Sequence, residues 1–291
     1  LGSNLNEIGA GAFQNCDSLT QITIPEMTLA IGNNAFYDCD ALTEITIPES
    51  VFTIGSYAFY SCNSLSSANI GSYVTKIGEM AFANCQSLTD INVHEENLDY
   101  MDIDGVLFSK DEATLIAYPA GKPSRSYAIP DSVTTIGYMA FDGCTKLTDI
   151  TIPDSVTAIG NSAFNCCSSL LKIVIPDSVT SMGEAVFYKC TSLANVIIGD
   201  GVKAIGKSTF YNCSSLYSIT LGKSVLSLGE KLFEGCSLLE KVYFTSANPP
   251  SVGSNIFYGC GSNVMIYYPE GTEENWGSSW QGYPTEAWDP E

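Results

Sequence analysis

Eleven cysteines are the residues of this chain best suited to chemistry: Cys16, Cys39, Cys62, Cys85, Cys144, Cys166, Cys167, Cys190, Cys213, Cys236 and Cys260. Thiols cross-link, hold zinc or attack carbonyls, and each use demands its own spacing or partner. Zinc is disfavoured, because no Cys-x-x-Cys pair occurs and His94 is the single histidine. Nucleophilic catalysis needs a base beside the nucleophile, and no such motif lies near His94. No phosphate-cradling G-x-x-x-x-G-K-[ST] or G-x-G-x-x-G segment is present either. Asp99, Asp102 and Asp104 precede Gly105 at the alternate positions that calcium ligands favour, but no Glu follows at EF-hand spacing. The reading is of a solvated acidic loop. No catalytic, cofactor-binding or metal-ligating residue is assigned, and an enzyme is not expected.

The positions of the cysteines carry more information than their chemistry. Ten of them close the pattern Ile-Gly-x-x-Ala-Phe-x-x-Cys, nearly always at a step of 23 residues, with one gap of 59 between Cys85 and Cys144. A fixed period of this length marks a repeat protein, in which each unit buries its apolar face only against its neighbours. Cysteines in one slot of every repeat would stack with parallel Cβ vectors, whereas a disulfide needs them turned together. A ladder of buried, reduced thiols is expected, cysteine behaving as a small hydrophobe with a weak S–H donor. Cys166 breaks the rule: Cys167 keeps the ladder, so Cys166 points elsewhere and is a candidate reactive thiol.

Residues 130–153 show what each unit must contain. Pro130-Asp131-Ser132 is turn chemistry, and Val133-Thr-Thr-Ile136 is a short β-prone run. Gly137 recurs at the equivalent place in all ten units, which implies either a positive φ or a neighbour too close for a side chain. Ala140-Phe141-x-x-Cys144 has the spacing of one helical or 3-10 turn, and Leu147-x-x-Ile150-x-Ile152 alternates like a half-buried strand. Each repeat supplies about six core side chains, such as Val156, Ile159, Phe164, Leu170, Ile173 and Ile175. Each is worth about 1.5–3 kcal/mol on burial, largely offset by the entropy of ordering the chain. One repeat would not stand alone; a stack would.

The unit I-G-x-x-A-F-x-x-C-x-S-L-T-x-I-x-I-P closely resembles the BspA-like leucine-rich repeats of bacterial and some protozoan surface proteins, from Leu5 to about Tyr268. The resemblance implies a repeat solenoid: a right-handed leucine-rich repeat superhelix, mostly β with short helical or 3-10 turns, and a parallel sheet on one curved face. It also implies a cell-surface or secreted location and a role in adhesion or protein binding. The chain starts inside a repeat, so a signal peptide is expected to have been removed or to lie outside this stretch.

Two regions depart from the beat. Residues 94–129 hold Val106-Leu-Phe108 and Leu115-Ile-Ala-Tyr-Pro119 around a polar turn, which reads as a β-hairpin within a long repeat. After the repeats of residues 1–268, residues 269–291 form a tail with Trp276, Trp280 and Trp288, expected to cap the open end of the stack.

The surface then decides the function class. Thirty-two acidic side chains against 12 basic ones give a net charge of −20, which repels nucleic acid and disfavours an anionic membrane surface. No stretch approaches the ~18 apolar residues of a membrane span. If Ile22 and Ile24 face the core, an outward row runs Thr23, Thr46, Asn69, Asn92, Thr151, Val174, Ile197, Thr220 and Tyr243. Its N-terminal half is small and polar. Its C-terminal half, with Leu171, Lys172, Tyr217 and Lys241 beside Val174, Ile197 and Tyr243, is the candidate surface for a protein partner on a host or neighbouring cell. A spacer presenting another domain is the alternative, as is a glycan-binding module using the tyrosine rows or the Trp tail.

Overall fold

The computed structural model describes residues 1–289, so the last two positions of the expected tail lie outside the described residues. The chain divides into two compact units, Leu1–Ser124 with Ile136–Lys146, and Arg125–Thr135 with the residues from Leu147 on.

In the first unit, short strands Glu7–Ile8, Ala30–Ile31, Thr53–Ile54 and Lys76–Ile77 form one parallel ladder, and Glu44–Ile47, Ser67–Ile70 and Asp90–Val93 form another. Partners are 23 positions apart, as in Ile45 with Ala68 and Ala68 with Ile91. Residues 21–24 form no strand. Between residues 94 and 129 three antiparallel strands, Tyr100–Ile103, Val106–Ser109 and Thr114–Ala117, carry fully buried Val106, Leu107 and Phe108. The hairpin read from the sequence is therefore preceded by a third strand. Asp102 accepts the N–H groups of Val93 (2.8 Å) and Gly105 (3.3 Å), so its carboxylate serves the backbone.

In the second unit, Lys172–Ile175, Asn195–Ile198, Ser218–Leu221, Lys241–Phe244, Met265–Pro269 and Tyr283–Trp288 pair in parallel, and Ser279–Trp280 adds one antiparallel edge. Alternate residues are inside: Ile173, Val196, Ile219 and Val242 are at most 2% exposed. Trp276 is 3% exposed against Phe244 and Tyr268, and the Trp288 indole N–H donates to the Phe244 carbonyl. A tail tryptophan this deep cannot offer its face to a sugar.

The segment between Gly and Cys is a chain of tight turns and not the helical turn expected. In the second repeat, Asn34 (φ 54°) and Asp38 (φ 58°) are left-handed, and the same two slots are left-handed at Tyr57 and Ser61, and at Ser208 and Asn212. A left-handed residue every four positions stops a right-handed helix from propagating. It also turns N–H groups along the stack, so that Asn34, Phe36 and Asp38 donate to the carbonyls of Ser56, Ala58 and Tyr60 in the next repeat. Cys166 occupies this second left-handed slot (φ 56°), which is why it leaves the thiol ladder. Among the described residues Glu273–Trp276 is the one α-helix.

The repeating glycine is explained by close approach. A Cβ on Gly206 would sit 2.4 Å from the Gly183 oxygen and 2.8 Å from the Glu184 Cα, and the backbone there is not left-handed. Beside it the phenylalanines stack, Phe36 on Phe59 at 5.1 Å and Phe164 on Phe187 at 5.1 Å. The tyrosines that follow them stack on the turn side, Tyr37 on Tyr60 at 5.4 Å and Tyr188 on Tyr211 at 4.8 Å.

Candidate functional site

Strand register decides which side chains of the second unit share the outward face. Val174 pairs with Ile197, Ile197 with Thr220, and Thr220 with Tyr243, each beside buried neighbours. Leu171 (53%), Val174 (53%), Ile197 (49%) and Tyr217 (40%) are the exposed large apolar residues of this face. β-Branched and aromatic side chains suit an exposed pleated surface, and a cluster of exposed apolar side chains is a feature that interaction sites share. A groove of about 510 Å³ runs along it, lined by Lys172, Val174 and Ile197 among others.

The candidate residues fall into two neighbouring groups. Leu171, Lys172, Val174 and Ile197 form the first, with the Lys172 ammonium 3.9 Å from Asp149. Tyr217, Lys241 and Tyr243 form the second. The Lys241 ammonium lies 5.7 Å from the Tyr217 ring centre, and the phenols of Tyr243 and Tyr217 hold it above the usual lysine range. Tyr243 is half-buried, stacked on Tyr267 at 4.5 Å and met edge-on by Trp288 at 4.8 Å. Tyr267 and Trp288 thus extend the second group, and the sequence reading missed both. Tyr267 was legible: Met265-Ile-Tyr267 continues the outward row with the same one-residue delay that shifts Cys260. Trp288 was not, because no repeat aligns with the strand that carries it. In the first unit the matching face is polar, with Asn92 donating to Asn69 at 3.0 Å.

Nothing in this arrangement resembles a reaction centre. His94 lies 3.9 Å from exposed Glu49, and its Nδ1 accepts the Glu96 N–H. Among the described residues no group of three or more His, Cys, Asp and Glu side chains could hold a metal, and no helix is long and apolar enough to cross a membrane.

Parallel ladders of 23-residue turns, with a constant core and a variable outward row, define a leucine-rich repeat scaffold. The profile of the BspA type leucine-rich repeat region matches in six copies over residues 1–113, 120–238 and 186–279. The chain belongs to the BspA-type leucine-rich repeat family. Among solved structures it is similar to a leucine-rich repeat protein of Eubacterium ventriosum (25% identity, TM-score 0.77, covering 89% of this chain and 81% of that one). It is also similar to a leucine-rich cell surface protein of Faecalibacterium prausnitzii (28% identity, TM-score 0.62, 82% and 69% covered). The pneumococcal vaccine antigen PcpA shares the fold at 20% identity (TM-score 0.63, 99% and 78% covered). No curated protein matches in sequence.

Proposed function

We propose that this chain is a non-catalytic binding module of a bacterial cell-surface or secreted protein, and that a protein on a host or neighbouring cell docks on the outward face of the second unit. The carrying observation is the register pair Val174 and Ile197, flanked by Leu171 and Tyr217, each just before a strand; the apolar side chains of all four are 40–53% exposed. Lys241 sets a cation beside the Tyr217 ring, whereas Lys172 is balanced by Asp149 at 3.9 Å. The cell-surface description of the Faecalibacterium relative supports the location. Residues 1–268 act in this reading as the repeat array, with 94–129 as one long repeat, and the tail from 269 closes the far end.

A photo-crosslinker placed at Val174 or Ile197 tests the reading on intact host or neighbouring cells. One protein crosslinked from both positions, and not from Thr46 or Asn69, is the expected result. Crosslinking that is equal at all four positions, or absent from all four, contradicts it.

A further inference from the structure

The cross-repeat hydrogen bonding fails at one place in the first unit. In regular repeats the turn donates forward: Tyr57 N–H to Glu79 O (2.9 Å) and Phe59 N–H to Ala81 O (2.8 Å). One repeat later the equivalent donors are Met80 N–H and Phe82 N–H, and neither has an acceptor among the described residues. The cause lies in the hairpin. Leu115 takes the place of Ile54, since its carbonyl accepts the Gly137 N–H as Ile54 accepts that of Gly78. Tyr118 takes the place of Phe59, since its N–H donates to Ala140 and its ring stacks on Phe141. Five positions separate Ile54 from Phe59, but only three separate Leu115 from Tyr118, so this turn is two residues short. Across the gap, the Tyr138 carbonyl likewise has no donor among the described residues, although its counterpart on Glu79 receives one.

Side chains close both ends of the gap. Gln86 Nε2 bridges Asn84 Oδ1 (2.9 Å) and the Gly143 carbonyl (3.2 Å), while the Tyr100 hydroxyl accepts the Ile77 N–H (3.0 Å). Between them remains a cavity of about 220 Å³. That exceeds the ~150 Å³ that holds a benzene and falls short of the ~300 Å³ at which drug-sized pockets begin. Its lining includes apolar Ile77, Met80, Ile116 and Met139 and the carboxylates of Glu79 and Asp142, with no Lys, Arg or His. Asp142 is 5% exposed. The Tyr138 phenol at its mouth is pushed up in pKa by burial and by the nearby Tyr57, Glu79 and Asp142.

We propose that this notch is a peptide-binding site for one extended segment of a protein partner bearing a lysine or arginine. Its carbonyls accept from Met80 and Phe82, its N–H donates to the Tyr138 carbonyl, and its cation meets Glu79 and Asp142. Main-chain bonds of this kind supply affinity, and the side-chain pocket supplies selection. The aliphatic stem of a lysine lies along Met80 and Met139 while its charge reaches the carboxylates. No outward strand residue lines the notch, so this proposal does not rest on the docking face proposed above.

Calorimetric titration of the intact protein with the blocked tripeptides acetyl-Gly-Lys-Gly-amide and acetyl-Gly-Leu-Gly-amide, and with n-butylamine, tests it. The lysine peptide should bind about tenfold more tightly than either other probe. Glu79→Lys, an exposed change that leaves the stack intact, should remove that advantage. Inserting Gly-Ser between Ile116 and Ala117 should restore the full turn and abolish binding, and Val174→Glu should leave binding unchanged. Equal binding of the two peptides, butylamine binding as well as the lysine peptide, no peptide binding, or an advantage that survives Glu79→Lys would each overturn the proposal.

Discussion

The Cys62 sulfur lies 3.1 Å from the carbonyl oxygen of Phe36, a residue 26 positions earlier in the chain. The same thiol-to-phenylalanine bond recurs from Cys39 to Phe13 and from Cys213 to Phe187. The cysteine of these repeats is thus a donor that stitches one turn to the turn before it. An apolar residue of equal size would fill the space and leave the carbonyl with one partner fewer.

Cys62→Ala should therefore lose both packing and a bond, about 1–3 kcal/mol. Cys16 is half-buried and its thiol makes no hydrogen bond among the described residues, so Cys16→Ala should cost under about 0.5 kcal/mol. Denaturant midpoints of the two variants check the difference.

Burial pushes the Cys85 and Cys213 thiols up to about 12. In the unfolded chain a cysteine ionises near its ordinary pKa of about 8.5. The folded state therefore holds protons that the unfolded state has released, and stability falls as pH rises between those values. It should be fully present below the unfolded pKa and decline steadily towards pH 12. Chemical denaturation across this range should show the decline, and Cys213→Ala should make it shallower. Native alkylation should label half-buried Cys16, Cys166 and Cys260 before the buried thiols.

Two glycines in the same slot should respond oppositely. Gly206→Ala forces a Cβ against backbone atoms at 2.4 and 2.8 Å, whereas a Cβ on Gly9 meets nothing within 4 Å. Gly206→Ala should cost more than about 2 kcal/mol, and Gly9→Ala should be neutral or slightly stabilising. Thermal melts of both variants decide it.

Ala185 holds a φ of 53° with no polar side chain to favour it. Ala185→Gly should raise stability by about 0.5–1 kcal/mol, the relief of left-handed strain less the added freedom of the unfolded chain. A lowered melting temperature would show that the left-handed slot is not strained.

The core was legible because period and burial coincide: Val156, Phe164, Cys167 and Ile173 recur at 23 residues and are at most 2% exposed. The left-handed slots were less so, although Asn15, Asp38, Asn84, Gly143, Asn212, Gly235 and Gly259 share one position. Asn, Asp and Gly are the residues that tolerate positive φ, and that signal stands in the sequence. The helical spacing of Ala-Phe-x-x-Cys hid it. The notch beside Met80 was not legible, because it arises from a turn two residues short inside a stretch that does not align with the repeat. On the outward face, alternation placed Val174 and Ile197 correctly, but only the stacking of Tyr267 and Trp288 on Tyr243 showed that Tyr243 also supports the end of the sheet.

Binding of the intact protein to its target cells, compared between wild type and Val174→Glu with Ile197→Glu, tests the central claim most directly. Both side chains are about half exposed and hold no core contact in place, so melting temperature should not change. Binding should fall at least about tenfold, the loss expected when charge enters an apolar contact centre. Unchanged cell binding by this double variant, with its fold intact, would contradict the docking face proposed for the second unit.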